Sequence, residues 1–345
     1  PPGPGTASMP ALARPKTVLA YWDGVDPFTD AEIDRLAEIA DLLDREPLQS
    51  WDDPRADALL AEVEVIVGHW GTPPLDAAML ERAPRLGMLA YGAGTVKMQV
   101  SDALWDRDVR VTSGADANGE PVAEFTLATI LLANKDAFWQ ADRARGGPGW
   151  DRPPGAAPVG NWDKTVGIVA ASLIGRRVIE LLEPFAGITP IVYDPYLGAV
   201  DAERLGVEKV DDLTDLCRRS DVLSIHAPAL PSTLHLIGAE ELAALPDGAT
   251  VINTARGLVL DHDALLDHLR RGRITAVLDV TDPEPLPDDH EIRSLPNVVL
   301  TPHLAGSQGT ELRRMADWVI DEVERYAEGR PARNPVTRET LDRTA

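Results

Sequence analysis

The sequence predicts an α/β protein of two doubly wound parallel domains. Three observations lead there. Short β-type runs alternate with helix-type runs from Thr17 onward, a Gly- and Pro-rich break at 146–160 separates two such series, and 345 residues exceed one ordinary core.

The first series opens with a strand at Thr17–Tyr21. A helix over Thr29–Leu43 follows, where Ile33, Leu36, Ile39 and Leu43 recur at helical spacing behind a Thr29/Glu32 capping pair. Strands are expected at Val63–Val67, Leu86–Ala90 and Val109–Thr112, with helical runs Leu75–Arg85 and Ser101–Trp105 between them. A long amphipathic helix, Glu120–Ala144, then carries the chain to the break. In the second series, strands are expected at Thr165–Val169, Thr189–Tyr193, Val222–His226, Thr250–Asn253, Thr275–Asp279 and Val298–Thr301. A last helix spans Glu311–Ala327. The expected layout is a flexible tail over 1–15, a first domain over 16–117 completed by 305–335, a second over 118–304, and a tail over 336–345.

The bulk properties narrow the function. With 44% hydrophobic and 26% charged residues the chain should pack a core. A net charge of -23 argues against broad contact with nucleic acid or acidic membranes, which need clustered Lys and Arg. An anionic ligand would need local cations or backbone donors. Cys217 is the single cysteine, so no internal disulfide framework exists, and it is read as a filler. Residues Pro1–Lys16 lack the apolar stretch of a secretory signal, Met9 within them hints at an extended terminus, and the apolar run Val122–Ala133 is too short to span a bilayer. A soluble cytoplasmic protein is expected. No His or Cys cluster has metal-ligand spacing, so no metal is assigned.

After the strand Thr165–Val169 comes Ala170-Ala171-Ser172-Leu173-Ile174-Gly175. In the frame G-x-G-x-x-G only the third glycine is present, which on its own is a weak dinucleotide signal. The next strand ends at Asp194, about twenty residues on, where a carboxylate can bond ribose hydroxyls and repel a 2′-phosphate. This favours NAD; the plainer alternative is an Asp that starts a turn before Pro195.

Three polar residues follow successive strand-like runs where open α/β sheets hold ligands: Arg256, Glu284 and His303. Singly, each has an ordinary structural explanation. Together with collinear blocks, they make a stronger case. The segments KTVGIV, VYDPY, SIHAPALPSTLHLI, TVINTARGLV, LDVTDPEPLP and NVVLTPHLAG, with YGAG and NGEPVAEFTL upstream, resemble the D-isomer-specific 2-hydroxyacid dehydrogenase family from about Lys16 to Pro335.

The resemblance implies two Rossmann-like domains, a flavodoxin-like substrate domain and a doubly wound NAD-binding domain. It implies His303 as acid/base, Glu284 as its partner and Arg256 as the clamp on a 2-oxo acid, which suits a fork-shaped guanidinium. A carboxylate beside the imidazole favours the charged form as pH rises. For the substrate it implies Trp70 and the amides of Ala93 and Gly94. For NAD it implies Ser172, Leu173 and Ile174 at the pyrophosphate, Asp194, His226, Pro228 and Thr233 around the adenosine, and Thr254, Ala255, Asp279 and Gly306 toward the nicotinamide. It also implies a homodimer through the helix over 120–139.

Departures accompany the matches. Leu173 stands where many members have Arg, which predicts weaker cofactor affinity unless the Ser172 hydroxyl compensates. Val96 and Lys97 replace an Asp-Asn pair, and Lys97 could attract a second anionic group on the substrate. The competing function is a non-catalytic NADH-sensing regulator on the same fold, resembling the transcriptional corepressors; intact Arg256, Glu284 and His303 argue against it.

Overall fold

A computed structural model describes residues 14–146 and 158–341. Most of the expected N-terminal tail and most of the Gly- and Pro-rich break lie outside the described residues, as do residues 342–345. The chain divides into two compact units, one reaching Asn118 and resuming at Ser307, the other Gly119–Gly306.

In the first unit, β1 (Lys16–Ala20), β2 (Asp41–Leu42), β3 (Val65–Gly68), β4 (Met88–Tyr91) and β5 (Arg110–Ser113) form a parallel sheet in the order β5-β4-β3-β1-β2. The residues of β3 and β4 are all buried, as strands covered on both faces require. The expected helix to Leu43 stops at Ile39, because Asp41–Leu42 leave it to pair with β1. Glu32 accepts from both the N–H and the hydroxyl of Thr29, at 2.7 and 2.9 Å, and also meets Arg313. That tie joins the helices Asp30–Ile39 and Leu312–Ala327, whose Met315, Val319 and Val323 enter the same core.

A correction concerns the C-terminus. Residues from 336 were expected as a tail, yet Pro335–Val336 pair antiparallel with β5 and Arg338–Leu341 make a helical turn. A two-residue ladder that itself begins with a proline leaves no periodic signal in a sequence.

The second unit holds seven parallel strands: β6 (Lys164–Val169), β7 (Ile188–Tyr193), β8 (Glu208–Lys209), β9 (Val222–Ile225), β10 (Thr250–Asn253), β11 (Thr275–Leu278) and β12 (Val298–Leu300). Their order is β12-β11-β10-β9-β6-β7-β8. The chain runs outward from β6 to β8, returns to β9 on the other side, and so creates a switch point at the C-terminal ends of β6 and β9. The expected helix Glu120–Ala144 is two helices, Ala115–Asn134 and Ala137–Gly146. Asp136 breaks it by taking φ of 58°, and its carboxylate accepts from Gln140 at 2.9 Å.

Candidate active site

At the switch point, β6 runs into Ala170, whose φ is 76°. The helix Leu173–Leu182 begins three residues later, capped by Ser172, whose hydroxyl accepts from the Gly175 N–H at 3.3 Å. A Cβ on Gly175 would lie 2.2 Å from the Ala170 carbonyl oxygen, so only glycine lets helix and strand close here. First-turn amides have no partner within a helix, and a pyrophosphate suits them. Asp194 ends β7 beside this turn: one carboxylate oxygen accepts from the Ala171 N–H at 2.9 Å, the other from the Tyr196 N–H at 2.7 Å. It therefore shapes its own turn and faces the dinucleotide loop as well. These residues fit NAD.

The wall beyond β9 is His226, Pro228 and Thr233. His226 is buried, bonds Ser224 at 2.9 Å through Nε2, and is pushed down to about 3 by burial, so its ring is neutral. The Thr233 hydroxyl donates to the Pro228 carbonyl at 2.5 Å and accepts from the Leu230 N–H at 2.9 Å. The pair forms one closed turn.

After β10, buried Asn253 bonds the Ala255 N–H and the Arg256 carbonyl, both at 3.0 Å, and so shapes the turn presenting Arg256. Burial pushes the Arg256 guanidinium down, and the nearby Glu284 charge offsets only part of that fall. The turn lies tight against the strand end that leads to Glu284, since a Cβ on Gly257 would stand 2.0 Å from the Thr281 carbonyl. Glu284 Oε1 meets His303 Nδ1 at 2.7 Å, with both side chains about half exposed. Arg256, Glu284 and His303, read from three separate stretches of sequence, thus stand together in one unit.

Of the residues expected toward a nicotinamide, Thr254 is buried and its hydroxyl meets Thr126 at 2.9 Å. Ala255 is buried and Gly306 half-buried. The Asp279 carboxylate accepts from Thr301 Oγ1, Leu304 N and Ala305 N at 2.6, 2.9 and 3.0 Å. Sequence reasoning missed Asn253, Thr126 and this pinning by Asp279. An Asn directly before Thr-Ala-Arg was the only available hint.

In the first unit, Trp70 follows β3, stands edge-on to His69 at 4.6 Å, and lines a cavity of about 540 Å³ with Val25, Leu312 and Arg313. Ala93 and Gly94 follow β4, with both carbonyls held by the Ser113 hydroxyl. Among the described residues, neither of their amide N–H groups has a partner. Val96 is buried and Lys97 half-buried. Cys217 is buried and its thiol is pushed up to about 12 by desolvation, which leaves it unreactive. No group of three or more potential metal ligands occurs among the described residues, and none of their helices is long and apolar enough to cross a membrane.

Residues 127–305 match the family model described as D-isomer specific 2-hydroxyacid dehydrogenase, NAD binding domain. The chain is 35% identical over 280 residues to a glyoxylate reductase of Aeropyrum pernix, covering 78% of this chain and 82% of that protein. It is 32% identical over 279 residues to a D-3-phosphoglycerate dehydrogenase of Methanocaldococcus jannaschii, covering 80% of this chain but only 52% of that one. The chain thus spans about half the length of that relative. Among solved structures, the apo D-mandelate dehydrogenase of Rhodotorula graminis superposes with a TM-score of 0.79 at 25% identity, over 94% of this chain and 98% of that one. A phosphoglycerate oxidoreductase from Rhizobium etli gives 0.77 at 26%, over 94% and 99%. With the dinucleotide turn, the carboxylate at Asp194 and this breadth of similarity, the chain belongs to the D-isomer specific 2-hydroxyacid dehydrogenase family and its second unit is the family's NAD-binding domain.

Proposed function

We propose that this chain reduces a small 2-oxo acid to the D-2-hydroxy acid with NADH, with His303 as the proton donor. The observation that carries the reading is the 2.7 Å contact between His303 Nδ1 and Glu284, with Arg256 close enough to feel the same carboxylate. An ionised carboxylate only accepts, so Nδ1 holds a proton and Nε2 is the nitrogen left to exchange one with the substrate oxygen. NADH supplies the hydride. Arg256 grips the substrate carboxylate in a bidentate fork. In the first unit, the amides of Ala93 and Gly94, without a partner among the described residues, are donors for substrate. Trp70 borders the substrate side chain. Ser172, Leu173 and Ile174 hold the pyrophosphate, Asp194 the ribose, His226, Pro228 and Thr233 the adenosine, and Thr254, Ala255, Asp279 and Gly306 line the nicotinamide end.

The protein works in the cytoplasm as a homodimer paired through the helix over 120–139. An apolar groove lined by Leu132, Phe138, Trp139, Val298 and Val299 supports that pairing. The test is loss of NADH absorbance across 2-oxo acids of varied side chain. Turnover is expected for at least one, reduced about 10²- to 10⁴-fold in His303→Ala. A chain that binds NADH yet turns over no member of a broad panel would be a sensor, and the reading would fail.

A further inference from the structure

The dinucleotide turn carries Ala170 and Ser172 where the G-x-G-x-x-G frame has its first two glycines. Ala170 holds a φ of 76°, a conformation that the Cβ of an L-residue disfavours. Part of the compensation is local: the Ala170 N–H donates to the Tyr193 carbonyl at 2.8 Å, and its methyl packs against the buried core of the second unit. The next residue is gripped from both sides. Its N–H goes to Asp194 Oδ2 at 2.9 Å, and its carbonyl accepts from Arg176 Nε, also at 2.9 Å. Arg176 in turn stands on the helix that Ser172 caps, its own N–H bonded to the Ser172 carbonyl at 2.9 Å. The Ala171 peptide is therefore fixed in register with both the helix and the end of β7.

We propose that Arg176 and Asp194 act as a brace that takes over the shape-keeping duty of the absent glycines. Arg176 is then a positioning residue for NAD, and Asp194 has two tasks, ribose recognition and closure of the turn. One consequence separates this chain from a glycine-bearing loop. Replacing Asp194 to admit a 2′-phosphate also releases the Ala171 N–H, so cofactor preference cannot be switched there unless Ala170 first becomes glycine.

The inference rests on NAD binding and stands apart from the choice of substrate. It is tested by the Kd of NADH and NADPH, read from nucleotide fluorescence excited through tryptophan, with no turnover needed. Arg176→Ala is expected to weaken NADH about tenfold, as loss of a charged hydrogen bond does. Arg176→Lys, whose ammonium can still donate to the Ala171 carbonyl, should keep more affinity than Arg176→Ala. Adding Ala170→Gly to Arg176→Ala should recover most of the loss, and that pair also serves if the single variant fails to fold. Asp194→Ser should lose NADH without gaining NADPH, whereas Ala170→Gly with Asp194→Ser should gain it. Wild-type affinity in Arg176→Ala, or no recovery on adding Ala170→Gly, would overturn the brace.

Discussion

The N–H of His303 donates to the backbone carbonyl of Asp279 at 3.0 Å, while the Asp279 carboxylate takes three further donors from residues 301–305. His303 has φ of 54°, in the left-handed region that non-glycine residues adopt uncommonly, and these bonds help to hold the loop there. Asp279→Ala would leave those donors without their acceptor in a site where Asp279 itself is only 2% exposed. We expect a loss of about 2–4 kcal/mol in urea denaturation. If His303 acts as proposed, kcat falls further than NADH affinity does. A variant with wild-type stability and turnover would show that the loop keeps its shape unaided.

Much of this architecture was legible, and the limits have identifiable causes. Buried runs such as VIVG and MLAY announce strands because both faces are covered, and Thr29/Glu32 announces a helix start because capping is local chemistry. The edge strands Asp41–Leu42 and Glu208–Lys209 were invisible, since two residues carry no period and their pairing comes from the neighbouring strand. Asp136 ended a helix that hydrophobic spacing alone would have continued. At the site, Arg256, Glu284 and His303 were found by residue type and position. The work of Asn253, Asp279 and Arg176 was not: Asp279 bonds backbone atoms twenty-five residues on, which only the fold brings near, while Asn253 and Arg176 bond backbone within their own turns, whose conformation residue type alone does not announce.

Two buried imidazoles set an acid limit on stability. His69 and His226 are both pushed down to about 3 by burial, from an ordinary value of 6.5. Between those values the unfolded chain binds the extra protons, so stability is fully present above pH 6.5 and is lost as pH falls below it. Each contributes up to about 1.4 kcal/mol per pH unit. His226→Gln should therefore flatten the dependence of unfolding free energy on pH between 6.5 and 5 by about that slope, relative to the wild type. Parallel curves for the two proteins would mean that His226 is charged in the fold.

The contact between the Arg256 turn and the Glu284 strand end yields the last prediction. A Cβ at Gly257 would fall 2.0 Å from the Thr281 carbonyl oxygen and 2.6 Å from the Asp282 N, both backbone atoms that cannot rotate aside. Gly257→Ala must therefore push the turn and the 281–284 segment apart, moving the guanidinium away from the carboxylate that touches His303. A shift near 1 Å at reacting groups costs on the order of 10²-fold, so kcat/KM should fall by at least about that much. The dinucleotide turn at 170–175 is built from other strands, so NADH affinity should fall less than kcat/KM does, with any loss confined to the nicotinamide end beside Thr254 and Ala255. Gly198→Ala is the control, because its new methyl would meet nothing nearer than Asp201 Oδ2 at 4.0 Å. Equal kcat/KM in the two variants would show that Arg256 does not need its place beside Glu284.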